Sequence, residues 1–277
     1  MPTHSIYVTF SIVTYNTPYS EVERVVKSLL LYAGEKQIFV VDNSKEDIIS
    51  QRLRELDEHI CYKHFKKNVG FGTAHNWAIK QAQIMSSKYH IIVNPDIYYH
   101  KDVVAPILAY MEQNPSVGEL MPCILSPDGS VQYLPKLMPT PLMLLQRRLH
   151  RILTCYGTHW MQRFEMRSMR NDRVYEVGHV SGCYAVVRME TIERCGMFDQ
   201  RFFLYFEDTD LSRRICKCYK TVYFPYVTVY HKYGHSAIKS VKCFNHFIGS
   251  LIKYFCKWGW CFDKFRKESN QRFLSQL

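Results

Sequence analysis

Two hydrophobic periods alternate along the first hundred residues. Residues 6–13 read as a strand, and residues 38–41 form a short, wholly apolar one followed at once by Asp42-Asn43-Ser44. Between them Val22, Val25, Val26, Leu29 and Leu30 recur at the three- and four-residue spacing of a helix face. A further helix leads to a strand near residues 60–65 and the loop KKNVGFG. Ala74, Trp77, Ala78, Ala82 and Met85 again fit a helix, and residues 91–93 are the next apolar strand. Strand–helix–strand order with fully apolar strands predicts an α/β fold whose mostly parallel sheet is covered by helices on both faces. Ligands of such sheets bind past the carboxyl ends of the strands. Polar groups stand at those ends here: Thr14, Tyr15 and Asn16; Asp42 and Asn43; Asn94 and Asp96. Their recurrence on one edge points to a site rather than to unrelated turns.

Beyond residue 125 the pattern loosens. Residues 126–141 are rich in proline and glycine, and residues 180–187 and 221–230 read as strands. Leu142, Leu145, Leu149, Ile152 and Leu153 form an apolar stripe flanked by Arg147, Arg148 and Arg151. Near the C-terminus Phe244, Phe247, Leu251, Phe255, Trp258, Phe262 and Phe265 recur every three or four residues, widened by Ile248 and Ile252 and interspersed with lysines. Aromatics and cations mixed on one helical face are the pattern of an interfacial helix. The plainer alternative is a helix packed on the core with its lysines in water.

Charge sharpens that contrast. The 277 residues carry a formal net charge of +11, of which residues 134–173 hold +6 and residues 232–277 hold +7, leaving the remainder slightly acidic. Basic character confined to two segments predicts a polyanion or an anionic membrane as partner. No nucleic-acid-binding motif accompanies it, so DNA and RNA are not expected. The ten cysteines include no C-x-x-C pair, and Cys216 and Cys218 stand too close for a zinc pair. The N-terminus lacks the basic stretch of a signal peptide, so a cytosolic chain with reduced thiols is expected. No apolar run approaches the roughly 20 residues that span a bilayer.

Four segments carry candidate chemistry. NVGFGTAHN, residues 68–76, places two glycines before a helix, where a backbone can approach an anion closely; it is neither G-x-G-x-x-G nor a Walker loop. Asp42 and Asp96 end strands, either as turn residues or to hold a ligand; Mg²⁺ typically takes one or two carboxylates plus substrate phosphates. FFLYFEDTDL, residues 202–211, sets Glu207, Asp208 and Asp210 after an aromatic run. Helix capping needs one acid, whereas three in four positions beside aromatics fit a general base. His231 and His235 lie in HKYGHS, where a histidine serves either structure or a metal or phosphate.

In order, SIVTYN, VVDNS, NVGFGTAHN, NPDI, VSGCYAVVR, FFLYFEDTDL and HKYGHS resemble the family 2 glycosyltransferases, inverting enzymes of GT-A fold, and within them the rhamnosyltransferases of bacterial surface-polysaccharide synthesis. The resemblance covers roughly residues 6–236. It implies that Tyr15, Asn16, Asp42, Asn68, Gly70 and Asn76 line a nucleotide pocket. Asn94 and Asp96 would stand at the donor, with Asp96 the surviving acid of the family's D-x-D metal motif and Asn94 replacing the first. Ser181 and Gly182 would wall the sugar and acceptor pocket. Asp208 would be the catalytic base, with Glu207 as the alternative, and His231 a further metal ligand or phosphate contact. The cofactor implied is Mg²⁺ or Mn²⁺. The donor implied is dTDP-L-rhamnose, with a UDP-hexose or UDP-galactofuranose as alternative, and the acceptor a lipid-linked saccharide, as in O-antigen assembly. The processive members' Q-x-x-R-W is missing, which implies one sugar per encounter. The competing reading is a non-catalytic nucleotide- or membrane-binding module on a transferase-like fold. The expected layout is a transferase domain over residues 1–236, with nucleotide-binding (1–125) and acceptor-binding (126–236) halves. Residues 237–277 would be a basic tail that holds a cytoplasmic protein at the inner membrane.

Overall fold

The computed structural model describes residues 7–150, 158–232 and 241–277. Ile6, the stripe residues Arg151, Ile152 and Leu153, and the loop residues His235 and Ser236 lie outside them, as do the side chains of Arg148 and Leu149. Strands β1 (Val8–Thr14), β2 (Lys36–Asp42), β3 (Ile60–His64) and β4 (Tyr89–Val93) pair in parallel in the order β3-β2-β1-β4. Helices α1 (Tyr19–Leu29), α2 (Ser50–Leu56) and α3 (Phe71–Ile84) make the crossovers. The valines and leucine of α1 at positions 22, 25, 26 and 29 are fully buried, as their spacing predicts. The register sets Thr14 beside Asp42 and Asp42 beside His64, so three carboxyl ends lie in line.

The remaining elements extend the same sheet. They are β5 (Ile97–Tyr98), α4 (Val104–Gln113), β6 (Val117–Leu125), α5 (Pro141–His150), α6 (Thr158–Phe164), β7 (Tyr175–Glu176), β8 (Tyr184–Arg188), α7 (Met189–Cys195), α8 (Glu207–Ile215) and β9 (Lys220–His231). The order continues β4-β8-β6-β9-β5, with β7 on β9. Strand β8 runs antiparallel between β4 and β6, while β6 and β9 are parallel to each other. The strand expected from residue 180 begins only at Tyr184. Residues 181–184 turn instead, with Tyr184 N donating to Ser181 O. Gly182 permits this close turn, since a Cβ there would meet the Phe71 ring at 3.1 Å.

The C-terminal stripe is divided between two helices, α9 (Val241–Trp258) and α10 (Lys264–Leu274). Gly259, at φ +97°, breaks them apart. Tyr254, Phe255 and Phe273 are buried, whereas Ile248 and Ile252 face outward and Phe262 is fully exposed. Part of the mixed aromatic and cationic pattern is internal: the guanidinium of Arg213 on α8 lies 4.5 Å from the Trp258 ring centre and pairs with Asp263 at 2.7 Å, the side chains of both ions buried. Among the described residues no helix is long and apolar enough to cross a membrane.

Candidate active site

Strand β5 explains how two distant residues meet. The segment Asn94-Pro95-Asp96-Ile97 closes a turn, with Ile97 N donating to Asn94 O. Ile97 then pairs with His231, the last residue of β9. This brings His231 Nε2 to 3.2 Å from Asp96 Oδ1 and 3.5 Å from the Asn94 amide. Gln132 fixes the ring from behind: its Nε2 donates to His231 O at 2.8 Å, so its Oε1 faces Nδ1, at 2.9 Å. That assignment puts the ring hydrogen on Nδ1 and turns Nε2 toward the carboxylate. With Nε2 unprotonated, a ring nitrogen and a carboxylate oxygen 3.2 Å apart fit a shared divalent cation, completed by substrate oxygens. No group of three or more metal-ligating side chains occurs among the described residues.

A cleft of about 320 Å³ joins this edge to the acid cluster, and Asn94, His231, Ser181, Gly182, Glu207 and Asp208 all line it. Asp208 is held by backbone donors. Gly182 N gives Oδ2 a bond of 3.1 Å, and Thr209 N gives Oδ1 one of 2.7 Å. Its side chain retains access to the cleft, whereas Glu207 is buried with Oε2 unpartnered. Burial, and then the charge of Asp208, pushes the Glu207 carboxyl well above the ordinary range. Glu119, buried in β6, is likewise pushed up to about 8 by burial. His179 stands 3.8 Å from Asp208, and burial pushes its imidazole down to about 4 although Asp208 opposes this. Of these three carboxyls, burial favours the protonated form of two, and Asp208 alone combines cleft access with two backbone donors. Asp210, the third acid of the sequence cluster, is fully buried and bonded to Arg214, Lys257 and Trp258.

The turn into α8 is strained. Tyr205 and Phe206 both adopt left-handed backbone, at φ +69° and +65°, a conformation costing about 1–3 kcal/mol per bulky residue. Phe206 O accepts from Asp210 N, and its ring lies 5.5 Å from Phe247 and 5.3 Å from Tyr254 of α9. Helix α9 therefore packs directly against the turn that presents Asp208.

Along β1–β3 the expected nucleotide residues separate. Tyr15 and Asn16 are exposed past β1, Asn16 N donating to Ser44 Oγ. Asp42 is 1% exposed and accepts from Thr14, Ser44 and Tyr62, so it organises this edge from within. Asn68 Oδ1 accepts from Gly70 N, and Gly70, at φ +88°, packs where a Cβ would meet Phe203 O at 2.6 Å. Asn76 does not face a ligand space: it is buried, and its amide makes both of its bonds with the backbone of Phe198. Lys136, Arg147, Gln132 and His179 join the site without any motif in the sequence that marks them as site residues. For the two cations the basic excess over residues 134–173 is the available signal.

Residues 9–196 match the Glycosyl transferase family 2 profile. Over 239 residues the chain is 31% identical to the N-acetylglucosaminyl-diphospho-decaprenol L-rhamnosyltransferase of Mycobacterium tuberculosis (strain ATCC 25618 / H37Rv), covering 81% of this chain and 75% of that protein. The chain belongs to glycosyltransferase family 2. This glycosyltransferase shares its fold with GalNAc-T7, solved with UDP, GalNAc and Mn²⁺ (TM-score 0.61, 16% identity, 83% of this chain and 43% of that one). It is equally close to the mannosyltransferase PcManGT of Pyrobaculum calidifontis, solved with GDP-Man and Mn²⁺ (TM-score 0.61, 18% identity, 92% and 65%). The family 2 enzyme thus spans less than two thirds of either solved chain. The expected GT-A architecture is the observed one, and membership of an enzyme family sets aside the non-catalytic module.

Proposed function

We propose that this glycosyltransferase moves one L-rhamnosyl residue from dTDP-L-rhamnose to a lipid-linked saccharide diphosphate, with inversion, in surface-polysaccharide assembly. The observation that carries the reading is a single cleft lined by Asp208 and by the His231 and Asn94 edge of the cation cradle, in a chain 31% identical to an L-rhamnosyltransferase acting on a decaprenyl diphosphate sugar. Tyr15, Asn16, Asn68 and Gly70 would border the nucleotide, with Asp42 bracing them from below. Asp96 and His231 would hold Mg²⁺ or Mn²⁺, which when bound neutralises charge on the leaving diphosphate. Ser181 and Gly182 would wall the sugar.

Asp208 accepts the acceptor hydroxyl's proton as that oxygen attacks the anomeric carbon. The bond from carbon to the phosphate oxygen breaks, and the nucleoside diphosphate leaves with the electron pair. One displacement assisted by one base inverts the centre. Neutral Glu207 and Glu119 leave the base without competing charge beside it. The outward Ile248 and Ile252 of α9 and Leu142 and Leu145 of α5, with the basic segments, support attachment to the cytoplasmic face of the inner membrane.

The deciding experiment incubates purified protein with a prenyl-diphosphate N-acetylglucosamine and a panel of nucleotide sugars, and identifies the product by mass spectrometry. Addition of one deoxyhexose from dTDP-L-rhamnose alone is expected. Transfer only from a UDP-hexose or UDP-galactofuranose would overturn the donor.

A further inference from the structure

We propose that Lys136 and Arg147 form a cationic subsite for the acceptor's diphosphate, separate from the Asp96–His231 cradle that serves the donor; the proposal rests on the lipid-linked saccharide diphosphate being the acceptor. Both side chains line the cleft that contains Asp208, and both also line an adjoining one. The other cations of the adjoining cleft are paired: Arg167 with Glu165 and Lys232 with Glu21. Lys136 Nζ, in contrast, donates only to Leu134 O, at 3.1 Å, and among the described residues neither it nor Arg147 has a carboxylate within ion-pair distance. Two cations facing one cleft, neither in contact with a carboxylate among the described residues, are a receptor for an anion from outside.

Their mounting ties that anion to the reaction. Lys136 forms a β-bridge with His179, reinforced by Gly178 N donating to Lys136 O, and His179 is the residue beside Asp208. Burial, with Arg147 adding to it, pushes the Lys136 ammonium down to about 8 although Glu165 and Asp208 oppose this, so it still carries its charge near neutral pH and an arriving diphosphate would stabilise it further. The apolar surroundings fit the prenyl chain that the diphosphate of such an acceptor carries. Leu144, Tyr205 and Phe247 share the cleft, and Leu142 and Leu145 lie exposed on the same helix as Arg147. A prenyl chain leaving the diphosphate would meet carbon rather than water. The nucleoside diphosphate would have its own partner in a cation held by Asp96 and His231, which would leave Lys136 and Arg147 for the second substrate.

The test measures binding, independently of turnover, by calorimetry on the full chain with the donor site filled by nucleoside diphosphate and Mn²⁺. The probes are an N-acetylglucosaminyl diphosphate ester of a short prenol and the same sugar joined to the prenol without phosphate. Lys136→Met keeps the aliphatic stem, and Arg147→Gln changes a partly exposed helix position, so a folding defect in one leaves the other to report. Each is expected to weaken the charged probe about tenfold or more, to leave the neutral probe unchanged, and to leave nucleoside diphosphate affinity unchanged. Equal affinity of the wild type and both variants for the charged probe, parallel loss of the neutral probe, or lost nucleoside diphosphate affinity would overturn the subsite. Failure of the wild type to glycosylate the charged probe from any donor would instead count against the acceptor reading, and the binding comparison would still decide the subsite.

Discussion

Replacing Asp208 with Asn is expected to cut transfer by roughly 10²–10⁴, the usual worth of a general base, while nucleotide binding stays near normal. Glu207→Gln should cost far less, because that carboxyl is buried and burial disfavours its charged form. Comparable single-turnover rates for the Asp208 variant and the wild type would remove Asp208 from the role. A second residue-level consequence concerns Glu119. Its carboxyl is pushed up to about 8 in the fold but titrates near 4.3 when unfolded. Folding therefore takes up a proton between those values, and stability is lost as pH rises through that window. Glu119→Gln should be more stable than the wild type at pH 8, by on the order of 1–3 kcal/mol, with the gain vanishing toward pH 4. Urea titrations at the two pH values check this, and an equal difference at both would refute it. These residues differ in legibility. Asp96 announces itself by ending an apolar strand with a proline and an acid. Glu119 lies inside a strand whose neighbours are apolar, and no local pattern separates a buried acid from an exposed one. Lys136 sits in an irregular stretch where only tertiary structure shows that its charge is unpaired.

At the scale of elements, α8 and the C-terminal helices stand or fall together. Arg213 on α8 is buried against Trp258, and its ion pair with Asp263 is buried too. Removing one partner of such a pair leaves an uncompensated charge, so Asp263→Asn should lose about 3–5 kcal/mol. A loss below about 1 kcal/mol in chemical denaturation would mean that water reaches Arg213. The parallel half of the sheet is readable because apolar runs and helical spacing alternate cleanly there. The direction of β8 is not, since a strand apolar on both faces looks the same either way. The tail is ambiguous for a related reason. Aromatics spaced among cations describe a membrane face and an internal cage for Arg213 equally well, and the chain uses one helix pair for burial while leaving Ile248 and Ile252 outside.

For the whole molecule, charge and the outward apolar residues lead to a flotation experiment. The protein is expected to float with anionic but not neutral vesicles at low salt, and Ile248→Glu with Ile252→Glu should abolish this without changing nucleotide affinity. Equal flotation with both lipids, or of the double variant, would exclude the surface. Metal dependence is the other global expectation. Exhaustive chelation should abolish transfer and weaken donor binding, Mn²⁺ or Mg²⁺ should restore both, and Asp96→Ala should resist restoration. Full activity after chelation would refute the cradle.

The two-residue strand β5 gives that cradle a history as well as a shape. Asn94 and His231 are 137 positions apart, and the pairing of Ile97 with His231 brings their strand ends together. Chains emerge from the ribosome N-terminal end first and fold by units as they do. The four parallel strands β1–β4 can therefore assemble early, with Asp96 already at its strand end and nothing opposite it. A nascent chain halted short of residue 231 would carry the nucleotide edge but half a cation site. The ability to grip a sugar nucleotide would thus arrive only once residue 231 has been made, after the acid helix that uses it.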